Sequence, residues 1–298
     1  MNKIRVMILG ANGFVGKNLE KILQKDETIS LYCTSRQPNP NQLYLDICES
    51  SSWNMIYKIA PDIIIDTSGY GVIKNQSDLN AMYQINYLAK RDLIDAIFKE
   101  LPRLHWIQIG TAFEYSLDQE ALTEESDCFP KTHYGISKLL FSNYLFKVIQ
   151  HRFTILRPFG MFGSGEDSSK FFPTLIHAQK NKKIIDLSDG QQIRDYFYVI
   201  DLANFILDII KKNKLSKLDS IVINVGSGKP KSMLELSNIL ATQINDFDPF
   251  LWNWGAIPQR QGENHIFYNA SIQASQFGFL NTRLEEAFRN TVDYYYNS

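Results

Sequence analysis

Gly10-Ala11-Asn12-Gly13-Phe14-Val15-Gly16 follows directly on the apolar run Ile4–Leu9 and precedes a stretch of helical spacing over Asn18–Lys25. A short β-branched run, three glycines at intervals of three and then a helix are the parts of a strand–turn–helix unit that cradles a dinucleotide. The first glycine permits the tight turn and the second lets backbone approach a pyrophosphate. The third permits close helix–strand contact. The pyrophosphate then lies at the positive N-terminus of the helix, beside Phe14 and Val15. A lone glycine triplet also fits an ordinary turn, so the reading depends on what surrounds it.

Outward from the turn, Ile29–Cys33, Asp62–Asp66, Leu104–Ile109 and Phe153–Leu156 read as further strands. Ser51–Ile59, Asn80–Leu101 and Tyr134–Gln150 carry apolar residues at helical spacing. Such alternation predicts an α/β fold, a Rossmann-type doubly wound parallel sheet with helices on both faces. After Gly163 the rhythm loosens: a loop at Gly163–Ser169, a helix at Phe172–Lys180, a short strand at Lys183–Asp186, and Asp195–Lys212 leading into a helix. Ile221–Val225 then reads as a buried strand, Ser232–Gln243 as a helix and 246–264 as irregular. The expectation is a cofactor-binding domain at 1–162 and 196–228, with a smaller C-terminal α/β substrate-binding cap at 163–195 and 229–298. A cap of this kind closes over the carboxyl edge of the sheet, where ligands of open α/β folds bind.

Composition narrows the partners. The 298 residues are 44% hydrophobic and 21% charged with net charge −1, which gives no electrostatic footprint for nucleic acid. No apolar run approaches the roughly 20 residues that span a bilayer. Cys33, Cys48 and Cys128 form no close pair and no signal pattern is read at the N-terminus, so a reducing cytoplasm is expected. No metal is expected.

The end of the second strand bears on the cofactor. An NAD enzyme carries an acidic side chain there, about 20 residues past the fingerprint, for the ribose 2′-hydroxyl. This chain has Cys33-Thr34-Ser35-Arg36, and Ser35 with the planar fork of Arg36 suits a 2′-phosphate instead. NADP(H) is therefore expected, with a solvated arginine as the bland alternative. Asp46, next to Ile47, is placed to bond the adenine amino group, unless it is a plain loop or capping carboxylate.

Tyr134 and Lys138 lie four apart on a predicted helix and so share a face. A phenol with a pKa near 10 exchanges protons poorly at neutral pH, and a neighbouring ammonium favours its phenolate. Alone, the pair fits a solvated helix face. It is accompanied by Thr111, in Gly110-Thr111-Ala112-Phe113-Glu114-Tyr115 at the end of strand Leu104–Ile109, where a nicotinamide would lie.

The ordered set of glycine turn, Thr111, Tyr134 and Lys138 resembles the short-chain dehydrogenase/reductase superfamily, and within it the extended, nucleotide-sugar-modifying NAD-dependent epimerase/dehydratase family. The likeness continues through Asn86, Leu156-Arg157-Pro158-Phe159, Gly190-Gln191-Gln192-Ile193-Arg194-Asp195-Tyr196 and Asn224-Val225-Gly226-Ser227-Gly228. It implies Thr111, Tyr134 and Lys138 as the catalytic triad, with Lys138 also bonding the nicotinamide ribose and Thr111 the substrate. It implies Arg194 and Arg260 as a clamp for the substrate diphosphate. Arg194 reads equally well as a structural partner of Asp195. A homodimer through helices Asn80–Leu101 and Tyr134–Gln150 is implied as well.

Departures from the family pattern direct the reaction. Dehydratases of the family carry Asp-Glu after the catalytic Thr, where this chain has Ala112 and Phe113. Its epimerases usually hold NAD through the acid that is missing here. Gly160 stands where relatives often have an Asn on the diphosphate. The pattern is most similar to the 4-ketoreductases that finish deoxysugar nucleotides for surface polysaccharide. The expected reaction is NADPH-dependent reduction of the C4 ketone of a dTDP- or CDP-linked 4-keto-6-deoxyhexose. The alternatives are an epimerase using bound NAD(P) and a non-catalytic NADP sensor; the sensor has no need of the intact Thr111, Tyr134 and Lys138.

Overall fold

The structure, a computed structural model, describes residues 3–73, 75–148, 152–211, 220–259 and 266–297. Strands β1 (Ile4–Leu9), β2 (Ile29–Ser35), β3 (Leu43–Tyr44), β4 (Ile63–Asp66), β5 (His105–Ile109), β6 (Phe153–Pro158) and β7 (Ile221–Val225) form a seven-stranded sheet in the order β7-β6-β5-β4-β1-β2-β3. Every pairing in it is parallel. The order reverses between β1 and β4, which opens a crevice at their carboxyl ends.

Side-chain alternation along β1 explains why helices cover both faces. Val6 and Ile8 join one core with Leu19 and Leu23 of helix α1 (Phe14–Leu23) and with Phe205, Ile206 and Ile209. Met7 and Leu9 face the opposite core with Leu93, Ile94, Ile97, Phe141 and Leu145. A strand buried on both sides is apolar over its inner residues, as residues 6–9 of β1 and 63–65 of β4 are. The doubly wound parallel sheet is as the sequence predicts.

Differences from the sequence reading are local. Helix α1 begins at Phe14 rather than Asn18; Gly16 and the exposed Lys17 interrupt the apolar periodicity of its first turn. The stretch read as one helix over Asn80–Leu101 consists of α2 (Leu79–Tyr83), a π turn at Gln84–Leu88 and α3 (Ala89–Glu100). The helix at Tyr134–Gln150 is observed as α4 (His133–Val148). Within the stretch read as irregular lie a 3-10 turn at Pro249–Leu251 and a strand at Trp252–Asn253, which pairs with Ile185–Asp186.

Beyond the sheet, Phe172, Leu175, Ile176, Leu236, Leu240, Trp252 and Phe288 pack into a third core. A four-stranded sheet beside the crevice joins Lys231–Ser232, Ile193–Arg194, Ile266–Asn269 and Ala121–Leu122. Its last strand comes from the segment after β5, which ties the first half of the chain into the second.

Candidate active site

The glycine turn is built by contact. Gly10 has φ +78°, and a Cβ on Gly16 would collide with Gly10 O and lie 2.7 Å from Ala11 Cα. Only glycine lets α1 start this close to β1. Gly13 caps α1 with no side chain bonded to the helix N-terminus, which leaves amide donors and the positive helix end facing the crevice.

That crevice is a cleft of about 190 Å³ whose lining includes Gly10, Asn12, Gly13, Ser35, Arg36 and Asp46. Leu9, Leu45, Ile47, Thr67, Ser68 and Gly69 complete much of its wall. The sequence-predicted cofactor residues at its two ends are thus brought to one place. Asn12 Nδ2 donates to Ser35 Oγ at 2.9 Å and Gln37 N donates to the same oxygen at 3.1 Å. With both lone pairs engaged, the Ser35 hydroxyl keeps its proton for a ligand acceptor. Arg36 is exposed and, among the described residues, its guanidinium has no hydrogen bond or ion pair. Asp46 Oδ1 accepts from Cys48 N at 2.9 Å, a turn contact within the loop after β3 that engages one of its oxygens.

At the opposite side of the sheet edge, Thr111 follows β5 and Tyr134 and Lys138 project from α4. Gly135 makes the approach possible, since a Cβ there would strike Phe113 O and lie 2.8 Å from Pro130 Cβ. The nearby Thr111 hydroxyl draws the pKa of the Tyr134 phenol downward. Burial and the negative charge of Glu114 outweigh that pull, so the phenol titrates well above its ordinary range. Lys138 Nζ donates to Ile109 O at 2.6 Å. Burial and then the nearby Lys90 ammonium bring Lys138 down to about 7, against the opposing pull of Asp66 and Glu114.

The motif reading does not single out Glu114, and it names Asn86 without a role. Glu114 is fully buried; its Oε1 accepts from Thr111 N at 3.0 Å and its Oε2 from Ser142 Oγ at 2.8 Å and Arg157 Nε at 2.9 Å. It thereby fixes the loop that carries Thr111 to α4 and β6. Asn86, in the π turn, accepts from Tyr70 N and donates to Tyr70 O and Ser137 Oγ. Ser137 in turn donates to Tyr134 O. A π turn at a functional site of this kind sets one polar side chain where a regular helix would not.

On the cap side, Arg194 is buried and stacks over Phe267 at 4.7 Å from the ring centre. The Asp195 carboxylate accepts from Ser227 N and Oγ, Gly228 N and Asn269 N. Phe113 packs edge-on to Tyr134 and Phe267, and is 40% exposed. Gly160 lies against Tyr196, where a Cβ would meet the ring at 2.8 Å. Arg260, the second arginine of the expected clamp, lies outside the described residues.

With this geometry in view, the sequence model of the NAD dependent epimerase/dehydratase family matches residues 6–226. The chain belongs to that family. Among relatives of this NAD dependent epimerase/dehydratase protein is the GDP-6-deoxy-D-talose 4-dehydrogenase of Aggregatibacter actinomycetemcomitans, 23% identical over 97% of this chain and 98% of its own. The CDP-abequose synthase of Salmonella typhimurium is 26% identical over 87% of each chain. Among solved structures, RMD from Pseudomonas aeruginosa complexed with NADPH superimposes with a TM-score of 0.81 at 21% identity, covering 99% of this chain and 98% of its own. The fold is that of the extended short-chain dehydrogenases/reductases. Among the described residues, no helix of this family member is long and apolar enough to cross a membrane.

Proposed function

We propose that the protein is an NADPH-dependent ketoreductase acting at C4 of a nucleoside-diphosphate 4-keto-6-deoxyhexose, dTDP- or CDP-linked, in deoxysugar synthesis. The observation that carries the reading is the end of β2. The Ser35 hydroxyl has a free proton and the Arg36 guanidinium is unengaged among the described residues, at the position where a 2′-hydroxyl-binding acid would stand. The uncapped α1 N-terminus and the cleft along Gly10, Asn12, Gly13 and Asp46 fit the rest of such a dinucleotide. When bound, NADPH supplies the hydride.

The remaining chemistry is that of the chain's own side chains. Tyr134, held protonated by burial and by Glu114, donates its proton to the ketone oxygen as that oxygen gains charge. Thr111 bonds the same oxygen, and Lys138 offsets the negative charge left on the phenol. Arg194 and Arg260 hold the substrate diphosphate in this reading. The names of the talose 4-dehydrogenase and the abequose synthase support a deoxysugar nucleotide as substrate.

In this assignment residues 1–162 and 196–228 bind the cofactor and 163–195 and 229–298 bind the sugar nucleotide; the core around Phe172, Trp252 and Phe288 draws mostly on the second set, with Phe162 and Tyr198 entering it from the first. Exposed Leu140, Phe146 and Val148 on α4 support a homodimer through α4 and the helical stretch over residues 80–101. The protein is assigned to the cytoplasm.

The test is to follow NADPH absorbance with a panel of dTDP-, CDP- and GDP-linked 4-keto-6-deoxyhexoses. Stoichiometric oxidation of NADPH with one of them is expected. Interconversion of sugar nucleotides without net cofactor oxidation would replace the reductase by an epimerase. Arg36→Ala is expected to weaken NADPH by roughly 10- to 100-fold while leaving NADH nearly unchanged.

A further inference from the structure

A second lysine lies under the cofactor cleft. Lys90, on α3, is 1% exposed and its partner Asp66, at the end of β4, is 0% exposed. The ammonium is 2.5 Å from Asp66 Oδ2 in an ion pair that falls outside hydrogen-bond geometry, and it donates to Ser68 O at 2.8 Å. Asp66 Oδ1 accepts from both Ser68 N, at 2.9 Å, and Ser68 Oγ, at 2.5 Å. Ser68 is therefore gripped at its amide, its hydroxyl and its carbonyl by one ion pair.

That grip bears directly on the cleft. Thr67, Ser68 and Gly69 are part of its wall. Ser68 Cα lies 2.9 Å from where a Cβ on Gly10 would be, and Thr67 Oγ1 donates to Leu9 O at 2.7 Å. The segment after β4 is thus locked flush against the glycine turn. A buried ion pair is a weak source of stability, since apolar side chains of equal volume would serve as well or better. Its placement gives it a geometric task.

We propose that the Asp66–Lys90 ion pair is a positioning device that fixes Thr67, Ser68 and Gly69 as the inner wall of the dinucleotide cleft. This rests on the reading of the cleft as a dinucleotide site. Lys90 and Asp66 are positioning residues: they act on the ligand through the backbone they hold.

The experiment compares wild type, Lys90→Met, Asp66→Asn and the double variant in cofactor-free form. It measures Tm, amide hydrogen exchange at residues 67–69, and binding of NADPH and of NADH by fluorescence titration. Each single variant is expected to lower Tm, because one charge stays buried without its partner. The double variant is expected to regain most of that loss while exchange at 67–69 speeds up. Its affinity for both nucleotides is expected to fall together, by about tenfold, as for a misplaced binding wall. Arg36→Ala, by contrast, acts on NADPH alone. A double variant that regains Tm and binds both nucleotides like wild type overturns the proposal. Wild-type protein that binds neither nucleotide overturns the cofactor reading itself.

Discussion

Glu114 Oε1 sits 3.0 Å from the backbone nitrogen of Thr111, and the other oxygen of the same carboxylate holds Arg157 Nε at 2.9 Å. The residue expected to touch the reacting oxygen is therefore placed by a buried charge pair three residues along the chain. Glu114→Gln removes the counter-charge of a guanidinium that is 5% exposed and stacked on Tyr115. A loss of about 3–5 kcal/mol in urea unfolding is expected, the usual cost of breaking one half of a buried pair. In folded variant protein, kcat is expected to fall more than the KM for substrate rises, because Thr111 is displaced while the sugar-binding cap is untouched.

Tyr134→Phe keeps the ring that packs against Phe113 and removes the proton donor. Turnover is expected to drop by roughly 10²- to 10⁴-fold, the range for loss of a general acid. Titration with NADPH is expected to give the wild-type affinity. Retained turnover would take the proton away from Tyr134.

Gly135→Ala tests whether the approach of α4 to the Thr111 loop sets the active geometry. The new methyl meets backbone at Phe113 O, which cannot rotate away as a side chain could. Overpacking of this kind costs about 1–3 kcal/mol, readable as a lower Tm. The accompanying loss of kcat is expected to exceed that of a control such as Leu140→Ala on the exposed side of the same helix.

Lys138 gives up its proton near pH 7 in the folded protein and near its ordinary 10.5 in the unfolded chain. Between those values the unfolded chain binds the extra proton, so this group makes stability rise with pH across the window. The charged groups facing it are Lys90, Asp66 and Glu114. Urea unfolding of cofactor-free protein between pH 7 and 10 is expected to show that rise in wild type and a flatter profile in Lys138→Met. Equal slopes would mean that Lys138 keeps an ordinary pKa.

Much of this architecture is legible in the residues themselves. The strands announce themselves because β1 and β4 are apolar on both faces, and the glycine turn because Gly16 has no substitute at its contact distance. Tyr134 and Lys138 are visible as a pair because α4 is a regular helix, in which residues four apart share a face. Lys90 is hidden although that same rule holds for it. Lys90 lies three, four and seven residues before the buried Leu93, Ile94 and Ile97 on α3, so spacing puts it on the inward face, but a lysine there carries no sign in the sequence of the buried Asp66 that receives it. Glu114 is hidden for another reason: its partners, Ser142 and Arg157, come from a helix and a strand far along the chain. The pairing of Ala121–Leu122 with Ile266–Asn269 is equally invisible, because two-residue strands carry no periodicity.

The sheet's far edge has a consequence for how the molecule assembles. Strand β7 pairs with β6 along its whole length, Ile221 opposite Thr154 through Val225 opposite Pro158, yet the chain between them first leaves to build α-helical and cap structure. Loop closure over so long an excursion is entropically costly and slow. The β1–β4 pairing, Val6 opposite Ile63, closes a comparable distance, but β7 comes last in the chain, and β6 stays an open edge until it returns. A nascent or truncated chain that stops short of β7 would present that unpaired edge to other chains, so self-association of such fragments is the natural failure mode of this fold during synthesis.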